Sequence, residues 1–186
     1  MEAPAELDRL LAKYQEKIDA AVPAGIPWEI VGRILRYRGE SGWEALFEEA
    51  ARRYMSTPAK WSLPAANLRR IIGDTDGAAE LWRVGLEDSR QQRNRQAEAL
   101  ICAYFLNDDD ALQAELAKAT KSIREYWPFD ELRTAYLAVD VDGLRHELAR
   151  WERKAKRAPI ASSGEAPSRH DMVEHIQQLI EEIEDL

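Results

Sequence analysis

Two short stretches combine aspartates and a glycine at a spacing that could hold a cation. The first is Asp74-Thr-Asp76-Gly, and the second is Asp-Val-Asp-Gly at 140–143. An EF-hand calcium loop begins in this way, but it also needs glycine at its sixth position and a bidentate glutamate at its twelfth. Counted from Asp74, those positions hold Ala79 and Gly85, and the second stretch fails at the same two positions. The sequence therefore predicts turns between helices and no calcium loop.

Few other residues carry the chemistry of a catalytic or metal site. The histidines are His146, His170 and His175; His146 has no second histidine at metal spacing, and the acids and histidines at 170–175 are typical of a solvated helix start. Cys102 is the only cysteine and lies in the apolar run ALICAYFL, which favours a buried, unreactive thiol. The sequence contains no nucleophile elbow, phosphate loop or dinucleotide fingerprint. We therefore expect no catalytic activity, no metal and no cofactor.

The overall charge restricts the class of partner. The chain has 186 residues, a formal net charge of -8 and a pI of about 5.1. An acidic protein is repelled by nucleic acid and by anionic membranes, but it attracts a basic protein. The longest apolar run is too short to span a bilayer, and the N-terminal residues MEAPAELDRL contain no signal-peptide core. We expect a cytoplasmic protein without membrane contact, for which nucleic acid is an unlikely partner.

Hydrophobic residues recur at helical spacing along most of the chain. Apolar stripes at intervals of three and four residues predict amphipathic helices, and no segment shows the period of two that marks a strand. The breaks between stripes also recur, since Gly39, Gly73 and Asn107 are each 34 residues apart. Glycine and asparagine readily adopt the left-handed conformation that ends helices. A period near 34 residues, with two helices in each period, indicates an α-helical repeat.

This spacing resembles that of a tetratricopeptide-like array, although the tryptophan, leucine-glycine and tyrosine of that family's first helix are not in place. A HEAT-like array and a helical array specific to its own family are the open alternatives. The resemblance implies an all-α fold of antiparallel hairpins stacked as a short right-handed solenoid, with an N-terminal helix and a C-terminal capping helix. The predicted segments are a helical-repeat domain over 1–157, with an N-terminal helix at 4–22 and hairpins at about 27–56, 62–92, 94–125 and 128–157, then a linker at 158–168 and an amphipathic helix at 169–186.

Polar residues in the turns are predicted to cap the helices that follow. Aspartate and serine side chains accept backbone N–H groups at the start of a helix. Asp76 is the predicted cap of one helix. Asp110 with Gln113, and Ser41 with Glu44, have the spacing of a capping box.

The same turns carry more carboxylates than capping requires. If equivalent turns stack side by side, their acidic residues form a strip along one edge of the array. By this interpretation Asp108, Asp109 and Asp140 are not needed as caps. The strip either keeps that edge soluble or binds a basic ligand, which would relieve its self-repulsion. The candidate partner-binding residues are Asp74, Asp108, Asp109, Asp110 and Asp140.

These features predict a non-catalytic module that binds a basic protein partner. A small acidic chain without catalytic motifs resembles a bacterial immunity protein in its general profile, which implies that it would neutralise a toxin by covering the toxin's catalytic surface. One alternative is a tetratricopeptide-like scaffold or regulator that holds a peptide in a groove. The other is an enzyme or a nucleic-acid-binding array, for which basic clusters offer some support at Arg90, Arg93 and Arg95 and at 150–157. The oligomeric state stays open.

Overall fold

The chain is helical throughout the part that the computed structural model describes, which is residues 4–21, 23–57, 61–92, 94–160 and 166–186. These residues form eleven α-helices and no β-strand, and none of the helices is long and apolar enough to cross a lipid bilayer. The helices are α1 (Pro4–Asp19), α2 (Ile26–Arg38), α3 (Trp43–Ser56), α4 (Ser62–Ile71), α5 (Thr75–Arg90), α6 (Gln96–Phe105), α7 (Asp109–Lys118), α8 (Lys121–Tyr126), α9 (Phe129–Leu137), α10 (Val141–Ala155) and α11 (Arg169–Glu184). Neighbours in sequence pack on one another, as α1 does on α2 and α9 on α10, and the predicted all-α fold is confirmed.

One predicted helix is divided in two. The apolar spacing of Leu112, Leu116, Ala119 and Ile123 predicts a single helical face, but α7 ends at Lys118. Ala119 adopts an extended backbone with ψ 138, and the Thr120 hydroxyl then accepts the backbone N–H of Ile123 at 3.3 Å. The prediction of one helix is wrong here because the threonine caps a new helix, α8, inside an otherwise continuous apolar stripe.

The described residues group into two compact units. The first comprises the described residues of Met1–Leu81 and Lys156–Ser168, and the second comprises those of Trp82–Ala155 and Arg169–Leu186. The boundary falls within α5. The segment that follows α10 belongs to the first unit, and α11 belongs to the second.

The core of the first unit depends on a close approach of α2 and α3. Phe47 and Tyr54 of α3 are buried together with Trp28 of α2. A Cβ atom placed on Gly32 would lie 2.6 Å from the Phe47 ring, so this position in α2 has no room for a side chain. The missing side chain therefore lets the aromatic ring pack directly against the helix backbone.

A buried polar network joins the same two helices. Glu29 is 1% exposed and accepts a hydrogen bond from Arg33 Nε at 2.9 Å and another from the Tyr54 hydroxyl. Burial, followed by the negative charge of Glu29, raises the pKa of Tyr54, which keeps the phenol protonated as a donor. The Glu29 carboxylate thus accepts hydrogen bonds from both Arg33 and Tyr54, and these buried polar side chains satisfy one another.

The predicted linker at 158–168 is packed at the two ends that the structure describes, while 161–165 lie outside the described residues. Ile160 packs against a buried cluster of the first unit that includes Ile30 and Ile34. Ser168 is 1% exposed, and its hydroxyl accepts a hydrogen bond from Arg33 at 3.5 Å.

The predicted C-terminal capping helix, α11, packs along α10 in the second unit. Its apolar side chains Met172, Ile176, Ile180 and Ile183 are buried at intervals of four, four and three residues. Trp151 of α10 is fully buried in the same unit. The stripe that the sequence places on this helix is therefore covered by the chain itself.

The four hairpin turns share one backbone geometry. Gly39, Gly73, Asn107 and Val139 have positive φ angles of 68, 84, 58 and 56 degrees, respectively. In each turn this residue donates its N–H to the carbonyl three residues earlier, and the next residue donates to the carbonyl five residues earlier. At Val139 these bonds measure 3.1 and 2.8 Å. This is the Schellman closure, which requires a left-handed residue.

Val139 is the only β-branched residue among these four left-handed positions, so its backbone is the most strained. Replacing it with glycine should stabilise the protein. A β-branched side chain is strained in the left-handed region by roughly 1–2 kcal/mol, part of which is offset by the flexibility of glycine when unfolded. We expect Val139→Gly to raise the free energy of unfolding by roughly 0.5–1 kcal/mol in urea titration. Val84→Gly, an exposed change inside α5, should instead lower it by roughly 0.5 kcal/mol. If Val139→Gly is less stable than wild type, the prediction that Val139 is strained is wrong.

Candidate functional site

Three of the five candidate acidic residues are helix caps. Asp74, Asp108 and Asp140 each follow the left-handed residue of a hairpin turn. Each side chain accepts the backbone N–H of the third residue after it, at 2.9 Å, and the donors are Gly77, Ala111 and Gly143. The expectation that Asp108 and Asp140 are not needed as caps is therefore wrong.

The caps predicted from sequence lie elsewhere in the chain than the observed ones. Asp76 and Asp110 sit within the first turns of α5 and α7, and α3 begins after Gly42 with no side-chain cap, so the Ser41 box is not formed. The reason is geometric. In the α6–α7 turn, Asp108 is the extended residue between Asn107 and α7, with φ -102 and ψ 96, and its position lets the side chain cap the helix. In the α2–α3 turn, Gly42 occupies the cap position with φ 90 and has no side chain to accept a hydrogen bond.

Ion pairs engage two of the candidate residues. Asp109 contacts Arg133 at 2.8 and 3.2 Å, and Asp74 pairs with Arg69. The hydrogen bonds from these guanidinium groups lower the pKa of both carboxyls below the usual value for aspartate. Asp110 makes no hydrogen bond or ion pair among the described residues.

The five candidate residues are divided between the two compact units. Asp74 belongs to the first compact unit, whereas the other four belong to the second. Asp140 is the member of the set that lines a groove, and the other groove carboxylates are residues that the sequence analysis did not select.

That groove lies between α9 and α10 and has a volume of about 430 Å³. Small residues and a threonine form part of its surface, which leaves room between the two helices. Carboxylates surround them. The small residues are Ala135, Ala138 and Gly143, the threonine is Thr134, the carboxylates are Asp130, Glu131, Asp140 and Glu147, and His146 completes the lining. We call this the acidic groove.

The carboxylates of the acidic groove are only partly neutralised. Glu147 pairs with Arg150 at 3.2 Å, while Asp130 accepts a hydrogen bond from the neutral amide of Gln113. Glu131 is exposed and makes no hydrogen bond or ion pair with the described residues. Three of the four carboxylates thus lack a cation partner in the part of the chain that the structure describes, which favours a positively charged ligand.

Two exposed apolar side chains lie at the turn that joins α9 to α10. Leu137 is 61% exposed and Val139 is 56% exposed. The apolar pattern of the sequence assigns Val139 to a buried stripe. The sequence nonetheless indicates a turn at Val139, because this residue follows Asn107 by 32 residues. That spacing is close to the 34 residues that separate Gly39, Gly73 and Asn107. Apolar side chains beside uncompensated charges are common in protein interfaces.

The first basic cluster is engaged in internal contacts, whereas Arg153, Lys156 and Arg157 of the second are exposed and form no ion pair with the described residues. Arg90 pairs with Glu115 at 2.8 Å, and Arg95 pairs with Glu98. Arg93 lies outside the described residues. These contacts reduce the support that the arginines offer to a nucleic-acid interface.

The chemistry of a catalytic thiol or metal centre finds little support in the structure. Cys102 is fully buried, and burial raises the pKa of its thiol, which disfavours the reactive thiolate. In the described part of the chain, no three histidine, cysteine or carboxylate side chains come together as a metal-binding group.

Comparisons with protein-family models, with curated proteins and with solved structures give no match to this chain.

Removing the caps should destabilise the fold. Asp108→Ala and Asp140→Ala should each lower the free energy of unfolding by about 1 kcal/mol, because a backbone N–H loses its acceptor. Asp108→Asn and Asp140→Asn keep the capping oxygen, so urea titration should place them within a few tenths of a kcal/mol of wild type. Alanine variants as stable as the asparagine variants would show that these carboxylates do not act as caps.

Proposed function

We propose that this chain is a non-catalytic, cytoplasmic protein-binding module that receives a basic segment of a protein partner in the acidic groove. In its most specific form the proposal is a bacterial immunity protein that neutralises a basic toxin by occlusion. The observation that carries it is the juxtaposition of uncompensated groove carboxylates with exposed apolar side chains on a single hairpin, α9–α10.

The charge of the acidic groove supports a basic partner. Asp130, Glu131 and Asp140 carry three negative charges and form no ion pair with a described lysine or arginine. Lysine or arginine side chains of a partner would relieve the repulsion between them and accelerate association through long-range attraction. Because exposed charges are screened beyond about 10 Å at 0.1 M salt, the association should weaken as salt is added.

The conformation of Val139 supports a contact at the α9–α10 turn. Glycine occupies the equivalent left-handed position in two other turns, at Gly39 and Gly73, and would be less strained here. An exposed valine at this position costs stability and makes no use of burial in the isolated chain. Contact with a partner explains why an apolar side chain stands there, with Leu137 two residues away as a second apolar anchor.

A tetratricopeptide-like scaffold is a second proposal, and it is favoured by the repeated turn. The same left-handed closure recurs at spacings of 34, 34 and 32 residues, as expected for a degenerate repeat. A scaffold that recognises a peptide through shape and apolar contacts would bind with little dependence on salt. Salt dependence therefore distinguishes the two proposals.

Charge reversal in the acidic groove tests the proposal. Wild type and Asp130→Lys/Glu131→Lys serve as baits for capture from a lysate of the source organism. Glu44→Lys/Glu48→Lys is the matched control, because it places the same charge change on exposed residues at the start of α3. We expect wild type and control to recover the same basic protein, and the groove variant to bind it at least about tenfold more weakly at low salt. Equal binding by all three baits would contradict the acidic groove as the site.

Stability and binding should change in opposite directions in Val139→Gly. The variant relieves backbone strain but loses the apolar side chain that the proposal places against the partner. Its affinity for the recovered protein should fall about fivefold, as expected when one small apolar contact is removed. If the affinity of this variant equals that of wild type, Val139 is not part of the interface.

A further inference from the structure

A second site lies elsewhere in the same unit. A cavity of about 230 Å³ is bordered by the C-terminal end of α6 and by residues of α9 and α11. It shares no lining residue with the acidic groove. We call it the aromatic cavity, after the residues that the argument uses: Tyr104, Phe105, Arg133, Tyr136, His175 and Glu182.

The aromatic walls of this cavity are fixed by the core behind them. The Tyr104 ring stacks on buried Phe129 with centroids 4.2 Å apart, and the Phe105 ring stacks on buried Trp82 at 5.3 Å. Tyr104 and Phe105 meet nearly at right angles, at 83 degrees. Rings held in this way need not be ordered on binding, so a guest would lose little affinity to rearrangement.

α11 supplies the remaining face. His175 and Glu182 are seven residues apart and lie on the same side of the helix. The His175 ring lies 5.0 Å from Phe105, and its Nε2 is 2.9 Å from the Tyr104 hydroxyl. The imidazole thus extends the ring of aromatic surfaces around the cavity.

The charge at the cavity is negative once its internal pairs are counted. Arg133 is held by both carboxylate oxygens of Asp109, at 2.8 and 3.2 Å. Glu182 accepts a hydrogen bond from the Tyr136 hydroxyl on Oε2 at 2.9 Å, and Oε1 has no partner among the described residues. The tyrosine stays a neutral donor, because this hydrogen bond raises the pKa of Tyr136. One carboxylate therefore remains uncompensated by a cation.

We propose that the aromatic cavity binds an organic cation, a guanidinium or ammonium group of about the size of one amino-acid side chain. Aromatic faces attract such cations through the ring quadrupole, and Glu182 supplies the opposite charge. The volume lies below that of sites for drug-sized ligands, which matches a small guest. An anion is disfavoured, because the arginine at the cavity is already paired with Asp109. This site does not rest on the proposed function.

Matched probes test the charge requirement. N-acetyl-arginine methylamide represents a basic side chain of a polypeptide, and N-acetyl-citrulline methylamide has nearly the same shape without the charge. Tetramethylammonium represents a small free ammonium ion. Binding is followed by the ring ¹³C signals of Tyr104 and Tyr136 in the full-length chain. We expect the arginine derivative or tetramethylammonium to bind at least about fivefold more tightly than the citrulline derivative.

Two variants test whether Glu182 causes the preference for a cation. Glu182→Gln should remove most of the preference for the cation, whereas Glu184→Gln, an exposed acid on the same helix that pairs with Arg145, should leave it unchanged. Tighter binding of the arginine derivative than of tetramethylammonium would indicate a protein side chain as the natural guest, and the reverse would indicate a small free ammonium ion. If neither the arginine derivative nor tetramethylammonium binds more tightly than the citrulline derivative, or if Glu182→Gln keeps the full preference, the proposal is overturned.

Discussion

In three of the four hairpin turns, one aspartate holds two helices at once. Asp74, Asp108 and Asp140 donate their backbone N–H groups to close the preceding helix, and their side chains accept an N–H of the next helix. A left-handed residue must come just before, since only that conformation brings both sets of groups into reach. The helix pairs, and the surfaces between them, depend on this arrangement. Because these three carboxylates bind backbone N–H groups, each contributes less to the predicted acidic strip that would bind a partner.

The helices and their period could be predicted from the sequence, but the roles of the individual acidic residues could not. Apolar spacing and the recurrence of Gly39, Gly73 and Asn107 reflect local backbone preferences, which can be recognised from the sequence alone. Capping depends on which residue follows the left-handed one, and Asp108, Asp109 and Asp110 are chemically identical candidates. The aromatic cavity was beyond sequence reasoning, because Tyr104 and His175 are joined only by the packing of α6 and α11.

The acidic residues therefore fall into two groups, those that make contacts within the fold and those without a cation partner. Those in the turns bind backbone N–H groups, and several others pair with arginines. Asp130 and Glu131, on the first turn of α9, have no cation partner among the described residues and border the acidic groove. The exposed Val139, strained in the left-handed region, stands at the adjoining turn. Stability alone explains the first group, whereas for the second group, together with the valine, we propose an interaction with a basic partner.

The most direct measurement is a map of backbone amide chemical shifts in the ¹⁵N-labelled chain during titration with a short arginine-rich peptide. The account predicts that the largest changes fall on 130–147 around the acidic groove, that they diminish as salt is added, and that the amides of Gly77 and Ala111 keep their shifts because their capping bonds persist. Changes concentrated at 73–77 and 107–111, with 130–147 unaffected, would contradict it and return the binding site to the turns.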